Sequence, residues 1–177
     1  GFDFSGLGLV RTSLEGATVD GADFTGADVR GIDLNGSTVT RAQLESTASF
    51  AAGDLRGARF EGLDLPGFQA GGFILTGPEL DGDFTGADFS GIVANDYQET
   101  FENPNDRRPA SFRGVYIDAD FSGASFVQGP TIRGNHTRAD FSGATLAGPR
   151  LDGALLAEAD FLGASMSSPS LAARFTN

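Results

Sequence analysis

A period of five residues dominates this sequence. The stretch from residue 21 to residue 36, GADFTGADVRGIDLNG, places an apolar residue at every fifth position, at Phe24, Val29 and Leu34. An α-helix repeats every 3.6 residues and a β-strand every two, so neither alone keeps these three side chains in one environment. A short extended segment followed by a turn does, because each quintet then makes one side and one corner of a coil.

The same spacing continues through nearly the whole chain. The apolar centres fall in residues 4–94, with one-residue shifts at 44–50 and 80–84, and again in residues 116–171. All but two of the roughly thirty centres are apolar, and a small residue usually lies two positions before each centre. Four sides close a coil of about 20 residues, and stacked coils join through parallel ladders about 4.8 Å apart. Bulges or corner adjustments account for the two shifts.

The composition fits one folded domain over residues 1–177. The chain is 40% hydrophobic and contains 16 Phe, which is enough for a sizeable core. It has no Cys, which excludes disulfides, thiolate zinc sites and cysteine nucleophiles. A net charge of -12 argues against binding to nucleic acid or to an anionic membrane surface, and favours a basic protein partner.

Several quintets resemble the pattern A(D/N)Lxx of the pentapeptide-repeat family. They read GADFT, GADVR, GADFS, RADFS and EADFL. The resemblance covers residues 1–94 and 113–171, and it implies the family's all-β fold, a right-handed quadrilateral parallel β-helix. The chain is then expected to form about eight coils, a rod on the order of 35 to 40 Å long.

Residues 95–112 interrupt the quintets and are predicted to form a loop insertion between coils. The stretch NDYQETFENPNDRRPASF contains Asn, Pro and paired Arg residues that are typical of loops. A tolerated insertion and a recognition loop both fit, since long loops on rigid scaffolds often hold binding residues. The candidate contact residues in it are Tyr97, Phe101, Arg107 and Arg108.

No pattern in the sequence indicates catalysis, a cofactor or a metal site. There is no Ser-His-Asp set, phosphate-binding loop, dinucleotide motif or His-rich metal spacing. The single histidine, His136, is at a centre position in one register, where Thr131 is also a centre. If Ile132 points inward instead of Thr131, His136 is expected to turn outward. We therefore expect a protein that is not an enzyme.

Aspartates immediately before the centres are predicted to point outward and to stack in columns. With four sides per coil, one column would hold four aspartates with Gln43 between them, and a second would hold three spaced by 20. Three interpretations compete: solvation with local hydrogen bonds to the turns, mimicry of DNA phosphates, and calcium bridging between coils. The two predicted columns are Asp3, Asp23, Asp64 and Asp83, and Asp120, Asp140 and Asp160.

The resemblance also implies a class of partner. The Qnr and MfpA groups of the family resemble duplex DNA in width and charge, bind DNA gyrase or topoisomerase IV, and protect them from quinolones. A DNA-mimicking protein that binds a type II topoisomerase is therefore the leading functional prediction. The alternative is a structural scaffold: the repeat starts at Phe2 and Phe4, so uncapped coils could stack end to end as a homodimer or a filament.

Overall fold

The chain winds into a parallel β-solenoid in the computed structural model, which describes residues 1–95, 97–98, 107–170 and 172–176. Two short helices come first, α1 (Arg41–Glu45) and α2 (Ala48–Ala51). The strands are β1 (Arg59–Glu61), β2 (Ile74–Thr76), β3 (Glu79–Asp83), β4 (Val93–Asn95), β5 (Tyr97–Gln98), β6 (Arg107–Arg108), β7 (Ser111–Val115), β8 (Ser125–Phe126), β9 (Thr131–Asn135), β10 (Thr145–Ala147), β11 (Ala154–Leu155) and β12 (Ser165–Ser167).

Two five-stranded parallel sheets form two sides of the solenoid. Their strand orders are β1-β3-β7-β9-β11 and β2-β4-β8-β10-β12. Phe60 lies opposite Leu80 in the first sheet, and Leu146 lies opposite Met166 in the second. Parallel pairing of segments about 20 residues apart requires the chain to return to the same side after each turn. The all-β solenoid class predicted from the sequence is therefore confirmed.

The regular strands cover about five turns, fewer than the eight coils expected from the sequence. In the N-terminal turns the parallel pairing continues as isolated bridges, such as Asp3 with Asp23 and Ser13 with Asp33. A quintet leaves only two or three extended residues between corners, so the pairing of one side with the next is often reduced to a single bridge.

Glycine and aspartate recur with the period because they build the corners. In the corner at residues 120–123, Gly123 has a φ of 63°, a left-handed conformation that disfavours residues with a Cβ. The Oδ1 atom of Asp120 accepts a hydrogen bond of 2.7 Å from the backbone N–H of Ser122. Aspartate stabilises turns in this way because its short side chain reaches the backbone two residues on.

The helices α1 and α2 occupy the place where the register shifts at 44–50. The sequence predicted a bulge or corner adjustment here, and that prediction was wrong. Thr40 and Gln43 form a capping box that begins α1. As a result Asp33 pairs with Arg59, 26 residues further on. Because this turn takes up one extra quintet, every later residue lies one side away from the side that a count in fives predicts.

The quintet centres line the interior. Phe24, Val29 and Leu34 retain 2%, 0% and 1% of their exposure, so one face of each quintet is buried as the period requires. The small residues Ala22 and Ala27, two positions before a centre, are buried as well. Their size lets neighbouring segments of the coil lie close together.

Aromatic rings stack along the later part of the core. Phe121 lies between Phe89 and Phe141, with ring centroids 5.1 Å and 4.8 Å apart and nearly parallel planes. Phe161 continues the stack at 5.0 Å from Phe141. These spacings equal the rise from one turn to the next, about 4.8 Å, so equivalent side chains of successive turns are in direct contact.

A column of glycines explains the shift of register at 80–84. Gly82, Gly114 and Gly134 lie opposite one another in β3, β7 and β9. A Cβ on Gly114 or Gly134 would overlap the carbonyl oxygen of the preceding glycine in the column, and both have positive φ, 111° and 94°. This close approach allows the next buried centre to follow after a step of four residues instead of five, as from Leu80 to Phe84.

The same short spacing turns His136 inward. Ile132 points inward at 1% exposure, and His136 is also buried, at 0%. The sequence predicted that an inward Ile132 would turn His136 outward, which was wrong, because the glycine at Gly134 brings the chain back to the interior after four residues instead of five.

The quintet pattern is interrupted between β4 and β7. Strand β4 ends at Asn95 and β7 begins at Ser111, and both pair within the two main sheets. Phe112 is fully buried in the core. In the sequence between β4 and β7, the short strands β5 and β6 pair with each other in antiparallel orientation. The solenoid itself therefore contains both ends of the stretch 95–112 that the sequence marked as an insertion.

Candidate functional site

Four aspartates form a continuous line along one side of the solenoid, which we call the acidic ladder. Parallel bridges join Asp88 to Asp120 and Asp120 to Asp140, and a third joins Asp140 to Asp160. Gln69 precedes the ladder and pairs with Asp88. Successive rungs lie about 4.8 Å apart, so the carboxylates repel one another and attract cations as a group.

The corner backbone holds each carboxylate of the ladder in place. One oxygen of every aspartate accepts the backbone N–H of the residue two positions on, and the second oxygen has no such bond. Asp160 is exposed and the other three are half-buried. The donors are Ser90 at 2.9 Å, Ser122 at 2.7 Å, Ser142 at 2.7 Å and Leu162 at 2.8 Å.

Asp3 and Asp23 make a similar pair in the first turns. A parallel bridge joins them, and both are exposed. Hydrogen bonds from the side chain and backbone of Ser5 lower the pKa of Asp3, and those from Thr25 lower the pKa of Asp23. Both carboxylates are therefore ionised at neutral pH, although each raises the energy of the other.

Asp64 and Asp83 do not share a side with Asp3 and Asp23, so the four-member column predicted from the sequence was wrong. Asp83 lies in β3 opposite Val115, and its backbone N–H donates to Asp64 Oδ1 at 3.1 Å. The two are neighbours on another side. The extra quintet taken up by α1 and α2 changed the side to which later residues belong.

Sequence reasoning also missed Asp88 as a member of the ladder. Its pairing with Asp120 spans the interruption of the quintets, and a count in fives cannot cross that stretch. The signal that could have found it is the motif GADFSG, which occurs at 86–91 and recurs as DADFSG and RADFSG at 118–123 and 138–143.

Elsewhere on the rod, arginines pair with several of the carboxylates. Arg30 donates to Asp28, and mainly through this hydrogen bond the pKa of Asp28 falls to about 2. Arg59 lies between Asp33 and Glu79, at 3.0 Å and 2.7 Å. Two further pairs are Arg56 with Asp54 and Arg138 with Asp118.

The acidic ladder makes no such ion pair with any side chain that the structure describes. Among the side chains of residues 1–95, 109–170 and 172–176, no arginine lies within ion-pair distance of a ladder carboxylate. Its negative charge is therefore available to a partner.

The predicted loop contacts are described only in part. Tyr97 lies opposite Arg108 in the antiparallel pairing of β5 with β6, and Arg107 lies opposite Gln98. Phe101 lies outside the described residues. A role of these four residues in recognition stays a prediction.

Across the described ranges, no three His, Cys, Asp or Glu side chains are grouped so that they could hold a metal ion. The geometry therefore gives no support to calcium bridging between coils. Neither of the two helices in that part of the chain is long and apolar enough to cross a membrane.

His136 is enclosed in the core. Its ring stacks on Tyr116 with centroids 4.7 Å apart, and its Nε2 atom lies 3.1 Å from the carbonyl oxygen of Arg133. Burial lowers the pKa of His136 to about 4. A side chain without exposure to solvent cannot exchange a proton with a bound substrate, so its role is in packing.

The first turn exposes large apolar side chains. Phe2 is 65% exposed, and Leu7 and Val10 are about half exposed at 48% and 45%. Association of copies end to end, the alternative drawn from the sequence, stays a prediction.

Comparison with known proteins identifies the repeat. The family model for pentapeptide repeats matches eight copies, in residues 3–41 and 137–168. HetL, a pentapeptide repeat protein involved in heterocyst differentiation regulation from the cyanobacterium Nostoc, is 20% identical with a TM-score of 0.44, over 96% of this chain and 68% of HetL. A trypsin-treated variant of QnrB1, a plasmid-mediated fluoroquinolone resistance protein, is 17% identical with a TM-score of 0.36, over 94% and 87%. No curated protein sequence matches.

Proposed function

We propose that this chain is a member of the pentapeptide-repeat family, whose model matches residues 3–41 and 137–168, and that it is a non-enzymatic interaction protein whose acidic ladder binds the DNA-binding surface of a type II topoisomerase such as DNA gyrase. The observation that carries the proposal is a line of four paired aspartates that make no ion pair with the described arginine side chains. The resemblance of the quintets to the Qnr and MfpA groups points to gyrase or topoisomerase IV among basic proteins.

The negative charge density of the rod is of the same order as that of duplex DNA. Paired residues follow one side from Ser13 to Ser170 in seven steps, a length of about 34 Å. The net charge of -12 then gives one negative charge per ~3 Å, against one per ~1.7 Å for duplex DNA. A surface built to bind DNA would therefore meet roughly half the charge density of its natural ligand.

The ladder also presents its charge without further ordering. Each aspartate is fixed by a backbone hydrogen bond, so little side-chain entropy is lost when a basic partner binds. Charges held in a fixed line can match arginines and lysines that track a DNA backbone, and they raise the association rate.

Inhibition of DNA supercoiling by purified gyrase tests the proposal. The protein is added at rising concentration at low and at physiological salt, together with the variant Asp120→Asn/Asp140→Asn/Asp160→Asn. Asparagine keeps the oxygen that accepts the corner N–H, so the variant removes charge and preserves the fold. The matched control is Asp64→Asn/Asp83→Asn, which removes two charges from another side of the solenoid.

We expect the unchanged protein and the control to inhibit supercoiling, more strongly at low salt, and the ladder variant to lose the effect. No response of gyrase or topoisomerase IV at low salt would refute topoisomerase binding. In that case the aspartates serve solubility and the stability of the corners, the simplest of the interpretations. Equal loss in the control would show that total charge, and not the ladder, is what the enzyme senses.

A further inference from the structure

One side of the solenoid carries no charge over five successive turns. Its sheet contains the strands β2, β4, β8, β10 and β12, and we call the outer surface of these strands and their corners the uncharged panel. The five stretches that build it contain no Asp, Glu, Lys, Arg or His; they are residues 71–78, 89–95, 121–132, 141–149 and 161–170. The residues that point outward from the strands are Ile74, Thr76, Val93, Asn95, Ser125, Val127, Thr145, Ala147, Ser165 and Ser167.

The panel begins abruptly. Asp54 pairs with Ile74, so the rung next to the panel holds the ion pair of Asp54 with Arg56. From Ile74 onward the charges stop on this side, whereas the acidic ladder and the first sheet carry charges through the same turns.

Aliphatic side chains are exposed on the panel. Ile74 and Val93 lie opposite each other and are 46% and 37% exposed, and Val127 is 46% exposed. Leu162, at a corner, is 78% exposed. The other exposed large hydrophobic residues among those described are in the first turn or beyond residue 170. Exposed aliphatic surface is thus concentrated on neighbouring strands at the β2–β4–β8 end of the panel, and exposed apolar surface grouped in this way is found at protein interaction sites.

We propose that the uncharged panel is the contact surface for a second copy of this chain, arranged about a two-fold axis. Two copies that each carry a net charge of -12 repel one another over most approaches. The panel is a surface on which they can meet without bringing carboxylates together. A two-fold contact places the panel of one copy on the panel of the other, so uncharged residues cover uncharged residues.

The size of the panel sets the strength of the contact. Five strands at ~4.8 Å give a height of about 24 Å, and the five residues of one side with its corner span at most about 16 Å, or ~380 Å² per copy. The total of roughly 800 Å² is below the size of stable interfaces and falls among weak, transient contacts. We therefore expect a weak, reversible dimer that forms toward the upper end of the micromolar concentration range.

Sedimentation equilibrium between about 5 and 500 µM, at low and high salt, tests the proposal. Salt screens the repulsion between the copies, so the dimer is expected to strengthen several-fold from about 0.05 to 0.5 M NaCl. Val93→Glu places two carboxylates in the contact and is expected to leave a monomer. Val10→Glu, a substitution of an equally exposed valine outside the panel, is expected to associate as the unchanged protein does.

A cysteine variant locates the axis. The chain has no Cys, so a single introduced cysteine can form a disulfide only with its copy. Ser125→Cys lies on the central strand β8 and is expected to crosslink under mild oxidation, whereas Ser13→Cys, on another side, is expected to stay reduced. Circular dichroism of each variant checks that the fold is retained.

A strict monomer at the highest concentration and 0.5 M salt overturns the proposal. So does association that survives Val93→Glu, is abolished by Val10→Glu, or weakens as salt rises, because each places the contact elsewhere. The panel contains no residue of the acidic ladder, so these outcomes are independent of the gyrase assay.

Discussion

Acidification between pH 7 and pH 5 is expected to destabilise the protein mainly through His136. Burial lowers the pKa of the His136 imidazole from 6.5 to about 4. Between these two pH values the unfolded chain therefore binds a proton at His136 and the folded chain does not. Stability from this source is therefore complete above pH 6.5 and is lost as the pH falls toward 4. The free energy of unfolding should fall by about 2 kcal/mol from pH 7 to pH 5, and by roughly 3 kcal/mol once both states are protonated.

The single histidine makes this effect measurable. Urea unfolding at a series of pH values gives the free energy, and the variant His136→Phe supplies the control, because a phenyl ring can stack on Tyr116 without titrating. Carboxyl groups with an ordinary pKa of about 4 titrate largely below this range. The variant is expected to show a flat profile from pH 7 to pH 5. A profile that is flat in the unchanged protein, or equally steep in the variant, would refute the buried position of His136.

Three further substitutions test the core, the corners and the helical turn, each by urea unfolding. Gly114→Ala should lower the free energy of unfolding by about 3 kcal/mol or more, because the new Cβ would overlap backbone atoms at a residue with positive φ. Gly86 also has positive φ but has nothing within 4 Å of the position that a Cβ would take, so Gly86→Ala should lower it by only about 1 kcal/mol. Similar losses at the two sites would contradict the glycine column. Phe121→Ala should cost about 3 to 5 kcal/mol by leaving a cavity in the aromatic stack, and a loss below ~1 kcal/mol contradicts that packing. Thr40→Ala should cost about 1 kcal/mol, whereas Thr40→Ser should cost little, since serine also caps; equal effects contradict the capping box.

The core could be predicted from the sequence because burial depends on the period alone. Phe24, Val29 and Leu34 are inside for the reason that the spacing gives, one apolar residue per side. The same reasoning did not predict correctly which residues lie on the same side of the solenoid. A side is assigned by counting quintets from the start, so one extra quintet displaces everything after it, as it did for Asp64 and Asp83.

The helical turn had a local signal that the period concealed. Thr40 followed by Gln43 is a capping-box pattern, yet Leu44 also fits the quintet count and was assigned to an extended side. The inward position of His136 had no comparable signal. It depends on how closely Gly134 approaches Gly114 in the neighbouring turn, which is a contact between residues far apart in sequence.

Disulfide mapping tests the central claim, that the winding of the chain brings Asp88 and Asp120 together on one side. Paired positions about 4.8 Å apart fall within the range that a disulfide can span. In the cysteine-free background, Asp88→Cys/Asp120→Cys is expected to form an intramolecular disulfide across the interruption of the quintets, detected by mass spectrometry of the monomer. Asp83→Cys/Asp120→Cys, with one residue moved to another side, is expected to remain reduced. A crosslink in the second pair and none in the first would contradict the acidic ladder and the function built on it.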